Sequence, residues 1–294
     1  MKLTISTKSA LHGSLMLLPA AVLLATFTHI PSVMTFFHSL FSTPTGRHAA
    51  EFVGFENYMF LLEDDVFHQA FVNNLAFALG TIPTSIGLSI AMALWVNGKI
   101  RGRVLIRFSY FLPTMVPMIA AANIWMFFYT PSYGLLDQFL GLFGYAQNNW
   151  LGDPDTVLPC LMVLTVWKEA GFFMIFYLAA LQGLPTEIYE AAKLEGVGRW
   201  YYFRRVTFPL LMPTTLFVMI NALINSFKMV DMLFVMTDGG PDNASNLLLY
   251  YIYETAFSFW DTAYAATLTV VLFLILAVAA IVQFFYFDKR IHYR

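Results

Sequence analysis

The sequence predicts an all-α integral membrane protein, and three observations carry that prediction. Of its 294 residues, 59% are hydrophobic and only 12% are charged, about half the charged share of a soluble domain. Thirty phenylalanines and fifteen methionines push the same way. Six apolar runs, at about 11–41, 71–96, 104–130, 157–181, 209–236 and 264–287, each reach the roughly 20 residues a helix needs to cross the hydrocarbon. The whole of 1–294 reads as one membrane domain of six helices.

In the first run, Lys2 and Lys8 precede an apolar stretch, which is also the layout of a signal peptide. The stretch continues to Phe41, too long for such a peptide, and no small-x-small site followed by a polar start ends it. It reads as a retained first helix. Pro31, Pro83, Pro113 and Pro117 interrupt several runs. Membrane helices tolerate proline where neighbours or water satisfy the freed carbonyls, so these positions are candidate kinks. Cys160 is the single cysteine, which allows no internal disulfide. A net charge of −2 gives no reason to expect a nucleic-acid partner.

Lysine and arginine placement orients the chain. With six helices, the N-terminus (Lys2, Lys8), the second loop (Lys99, Arg101, Arg103, Arg107), the fourth loop (Lys193, Arg199, Arg204, Arg205) and the C-terminus (Lys289, Arg290, Arg294) share one face. The opposite face holds Arg47 alone, and Lys168 and Lys228 fall within helices. Both termini and the fourth loop are therefore expected on the cytoplasmic side. The opposite loops carry acids such as Glu56, Asp64, Asp137, Asp153 and Asp238, which read as solvated surface.

The fourth loop, 182–208, is unusually charged and aromatic for its place between two apolar runs. Thr186 can cap a helix, with Glu187 and Glu190 in its first turns. IYEAAKLE is rich in helix formers, and Gly196 and Gly198 are expected to break the helix through backbone angles other residues resist. A second short helix follows, with Trp200, Phe203 and Phe208 available to pack, before Pro209 restarts the chain. On these residues alone, a helix docked on another protein and a helix lying on lipid are equally good readings.

Inside the membrane, charge is expensive and faces protein or water. The fourth helix carries Lys168 and Glu169, and the fifth carries Asn221, Asn225, Ser226, Lys228 and Asp231. Helical spacing puts Asn221, Asn225 and Lys228 on one stripe with Thr214, which is expected to face the bundle interior. This stripe reads as a solute pathway, or as internal pairing: Lys228 with Asp231 three residues on, and Lys168 with a carboxylate on a neighbouring helix.

Glu190-Ala191-Ala192, Glu195-Gly196-Val197, Phe203 and Pro209 together resemble the EAA loop of the permease subunits of ABC importers, the binding-protein-dependent transport family. Glu195 stands where that pattern has Asp, and Val197 where it has Ala. Thr237, Gly239, Gly240 and Pro241, followed by Tyr251, Tyr253 and Phe257, resemble a segment of carbohydrate-type permeases, and VWKEAGFFMIFYLAALQGLP resembles the fourth-helix region of glycerol-3-phosphate and maltose permeases. The resemblance implies an inner-membrane permease that moves a sugar or sugar-like solute, including an anionic or glycerol-linked one, by alternating access. It implies a coupling helix with Glu190, Ala191, Ala192, Glu195, Gly196, Arg199, Phe203 and Pro209 at the ATPase contact. It puts Thr165, Lys168, Glu169, Ala222 and Ser226 on the solute path, and Gly239, Gly240 and Pro241 on the side of the binding protein. The implied partners are a second permease, two ATPase subunits, a periplasmic solute-binding protein and lipid. No cofactor is expected on this chain: it has no G-x-x-x-x-G-K-[ST], so ATP and Mg belong to the ATPase. Two other classes compete. An ion-gradient carrier would use Glu169 and Asp231 as proton relays, but no internal repeat is evident. A membrane enzyme lacks a nucleophile–base or metal set, since the histidines are scattered.

Overall fold

The computed structural model describes residues 7–288, apart from 47, 99, 146, 186, 188–189, 191–193 and 195. Among the described residues the structure is helical, with β pairing confined to isolated bridges at Phe41–Phe52 and Thr45–His48. In chain order the helices are α1 (Thr7–Leu24), α2 (Ile30–His38), α3 (Glu56–Glu63), α4 (Asp65–Asn97), α5 (Arg103–Met115), α6 (Met118–Tyr129), α7 (Leu135–Gly141), α8 (Pro154–Gln182), α9 (Arg199–Leu210), α10 (Met212–Phe227), α11 (Asp231–Met236), α12 (Leu248–Tyr253) and α13 (Thr262–Asp288).

Four helical stretches are long and apolar enough to cross a membrane: His12–His38, Asp65–Asn97, Pro154–Gln182 and Thr262–Phe285. Two bent pairs, α5 with α6 (100°) and α9 with α10 (69°), qualify only when each is counted as one span, giving four to six candidates. The α5–α6 bend lies at Pro113 and Pro117, two of the candidate kinks, whereas the bend at Leu211 was not expected; proline chemistry explains both. Pro117 has no N–H to return to the Pro113 carbonyl, and it drives Val116 into an extended conformation (φ −75°, ψ 128°). Pro213, in the first turn of α10, likewise cannot donate back to Pro209. The fifth apolar run then breaks again, since 228–230 are not helical.

The chain forms two compact units, Met1–Glu63 with Ile252–Val271, and Asp64–Tyr251 with Leu272–Arg294. In the first unit, the His12–His38 stretch buries none of its residues within the chain. The loop that follows is held by Asn57, whose amide donates to the Ser39 and Phe41 carbonyls at 2.9 Å each. Thr43 donates to the Asp261 carboxylate, which in turn accepts from the Tyr264 N–H at 3.1 Å at the start of α13.

The second unit is built on α4 and α8, which pack along their lengths. The buried face of α4 is small and polar as well as apolar: Ala70, Asn73, Asn74, Ala78, Thr81, Ser85, Ser89 and Ala93. Small residues let membrane helices approach closely where no hydrophobic effect drives them together. Phe173, Met174 and Tyr177 of α8 fill the core with Val96 of α4 and Val218 and Ala222 of α10. Gly171 sets the approach of α5, because a Cβ there would lie 1.8 Å from the Tyr110 carbonyl oxygen.

The acids read as solvated surface include structural anchors. Asp64 caps α4, accepting from Val66 N and Phe67 N at 2.9 and 3.2 Å, and Asp153 caps α8, accepting from Asp155 N at 3.0 Å. Asp137 is buried, and its carboxylate accepts from Ser132 N at 2.9 Å and from the Trp150 indole N–H at 2.7 Å. Those donors, the Ser132 amide foremost, hold its pKa below the usual carboxylate value.

Candidate functional site

Lys168 lies at the middle of α8, and both helix breaks converge there. Met118 opens α6, Lys228 and Met229 lie in the gap after α10, and Asp231 opens α11. With Thr165, Glu169 and Asn225 they line one polar pocket of about 210 Å³. Two ammonium groups, two carboxylates, an amide and a hydroxyl thus meet in a segment otherwise apolar. Such an arrangement can hydrogen-bond a hydroxyl-bearing or charged solute, and broken helices are where membrane proteins expose polar backbone at depth.

Within the pocket wall, Lys168 Nζ donates to the carbonyls of Val116 and Pro113, the latter at 3.3 Å. Thr114 Oγ1 donates in return to the Lys168 carbonyl at 3.1 Å. Lys228 is the C-cap of α10 and Asp231 opens α11, so the alternative of a Lys228–Asp231 pair within one helix does not hold.

A second polar cluster surrounds the 237–247 loop. Gly239 takes φ +77° and is buried, and an added Cβ would meet the Tyr250 ring at 3.1 Å, so both backbone and space require glycine. Asp238, Asp242 and Asn243 also take positive φ (47°, 48°, 59°), a conformation short polar side chains tolerate. Ser245 Oγ donates to the Gly240 carbonyl at 2.6 Å. Asn73, on α4, donates to the carbonyls of Asn243 and Asn246 at 2.7 and 3.0 Å.

In the fourth loop, Glu187, Glu190 and Leu194 are exposed and Gly196 takes φ +67° with open space around its Cα. Gly198 departs from expectation: at φ −63°, ψ 145° it simply precedes α9, in a conformation open to any residue. From α9, Phe203 and Phe208 pack against the α4–α8 core.

A family model described as binding-protein-dependent transport system inner membrane component matches residues 85–293. The chain belongs to this family. It is 31% identical to the sulfoquinovosyl glycerol transport system permease SmoG of Agrobacterium fabrum over 88% of this chain and 84% of that one. It is 33% identical to the trehalose/maltose transport system permease MalF of Thermococcus litoralis over 84% and 85%. The fold matches a crystal structure of a bacterial alginate ABC transporter in complex with an alginate pentasaccharide-bound periplasmic protein (TM-score 0.82, 21% identity, 94% and 93% coverage). The chain is a non-catalytic permease of an ABC transporter, and separate ATPase subunits hydrolyse ATP.

Of the residues singled out from this permease's sequence, Thr165, Lys168, Glu169, Asn225 and Lys228 share the pocket. Ala222 and Ser226 are buried in helix packing instead. The packed face of α10 is Thr215, Val218, Ala222 and Ser226, so the asparagine stripe lies beside it; Asn221 donates back to Phe217 O at 2.7 Å on an exposed surface, and Lys228 is exposed. Of that stripe, Asn225 and Lys228 line the pocket and Asn221 does not. Arg199 and Pro209 are exposed on α9, and Ala191, Ala192 and Glu195 lie outside the described residues. Sequence reasoning missed Asn73 and Asn74, both buried on α4. Two adjacent amides in an apolar run were the available signal.

Proposed function

We propose that this permease conducts a sugar or sugar-like solute, delivered by a periplasmic binding protein, to the cytoplasm by ATP-driven alternating access. It has six spans, counting each bent pair as one, and both termini are cytoplasmic. The observation that carries the reading is the polar pocket at mid-α8, where the α5–α6 and α10–α11 breaks meet. Solute passes Thr165, Glu169, Asn225 and Lys228, with Asn221 along the same side of α10. The 237–247 loop, with Gly239, Gly240 and Pro241, serves the binding-protein side. A second permease completes the pathway, and two ATPase subunits, which use ATP and Mg, dock on the 182–208 segment through Glu190, Gly196 and their neighbours. Phe203 and Phe208 give that segment a mechanical connection to the core.

The test is solute-stimulated ATP hydrolysis by the reconstituted complex, wild type against Glu190→Lys combined with Gly196→Asp. Both positions are exposed, and at the φ of +67° that Gly196 takes aspartate is among the better-tolerated residues, so the change bears on docking rather than core packing. Loss of stimulation and of uptake in a complex that still expresses is the expected result. Uptake that persists without ATP would favour an ion-gradient carrier using Glu169 and Asp231.

A further inference from the structure

Pro117 leaves the Pro113 carbonyl without its helical donor, and the extended Val116 turns its own carbonyl out of both helices. The C-terminal end of α5 therefore presents the Val116 carbonyl, and the Pro113 carbonyl held only by the Val116 N–H at 3.3 Å, at the negative end of a helix dipole, in a part of the chain where water cannot be relied on to satisfy them. Lys168 Nζ reaches both, and Thr114 Oγ1 closes the loop in the other direction. Gly171, one turn along α8, is what lets α5 come near enough.

We propose that Lys168 is a positioning residue: its ammonium ties the α5–α6 break to the middle of α8 and so sets the shape of the polar pocket, rather than receiving an anionic solute. The break then moves with α8, and the groups left to meet solute are Thr165, Glu169, Asn225, Lys228 and Asp231. An aliphatic side chain of the same length would leave the Val116 carbonyl unpaired and the Pro113 carbonyl with only the Val116 N–H at 3.3 Å, and the break would loosen. Arginine, which still donates and is still charged, would hold it.

The experiment uses the assembled complex in proteoliposomes. The sole cysteine is removed by Cys160→Ser and a reporter is placed in the pocket by Met118→Cys. The rate of modification by the neutral reagent methyl methanethiosulfonate is read, so that charge changes at 168 do not bias it. Lys168→Met is expected to raise that rate about tenfold, the worth of one charge-assisted hydrogen bond, while Lys168→Arg stays within about twofold of wild type. Where the methionine variant does not assemble, the comparison passes to Lys168→Gln, expected to be faster than wild type and than Lys168→Arg. Labelling at the wild-type rate in every variant overturns the proposal, as does protection of the reporter by inorganic phosphate in wild type but not in Lys168→Gln. Labelling without nucleotide tests the tie itself. Only the change on adding ATP rests on the permease reading, so the two can fail separately.

Discussion

Asn74 of α4 donates a hydrogen bond to the carbonyl of Ser226 on α10 at 3.2 Å, and both residues are buried. The same amide accepts from the Leu248 N–H at 3.1 Å. One side chain thus closes the end of α10 and the start of α12 onto α4. Asn74→Leu would strand a buried carbonyl and a buried N–H, each costing about 1–3 kcal/mol. The thermal midpoint of the purified protein should fall sharply. Asn221→Leu, which removes only a bond within its own helix on an exposed surface, should shift it little.

Gly171 and Gly80 separate rigid from yielding contacts. A Cβ at 171 meets a backbone oxygen at 1.8 Å, whereas a Cβ at 80 meets the Met162 sulfur at 2.5 Å. Methionine can change rotamer and a helix backbone cannot. Gly171→Ala should therefore cost about 1–3 kcal/mol or block folding, with Gly80→Ala well below it. Melting curves of the two variants side by side decide the matter, and equal losses would contradict the close approach.

Asp137 makes a pH prediction outside the membrane spans. Its folded-state pKa is lowered, chiefly by the Ser132 amide, so its contribution is complete above the unfolded value of about 3.9 and is lost as pH falls through the folded value. At neutral pH, Asp137→Asn should melt below wild type, and the gap should narrow as pH drops toward about 3. A gap that stays constant over that range would show that the carboxylate's charge is not what stabilises the loop.

Composition and the roughly 20-residue apolar runs made the helical class legible, because lipid leaves the backbone few alternatives. The EAA pattern and the 237–241 segment made the family legible. The pocket was legible only in part. Lys168, Glu169 and Lys228 stand out because charge is rare in such runs, but their partners do not: Lys168 is matched to carbonyls freed by a proline some fifty positions earlier, a relation with no local signature. Asp137 read as solvated for a similar reason, since its donors are backbone and indole groups that no charge pattern reveals. Asn73 and Asn74 were overlooked because their partners lie far away in sequence, in the 237–247 loop for Asn73 and at the ends of α10 and α12 for Asn74.

The 69° corner between α9 and α10 has a mechanical meaning. Phe203 and Phe208 pack α9 against the core, so in the proposed coupling α9 would work as a crank rather than a piston. A thrust delivered along α9 by a docked ATPase, as proposed, would reach α10 mostly sideways, as a turning moment about Leu211. Straightening that corner would convert rotation into simple translation, and the stroke at the far end of α10 would change direction even if its size did not.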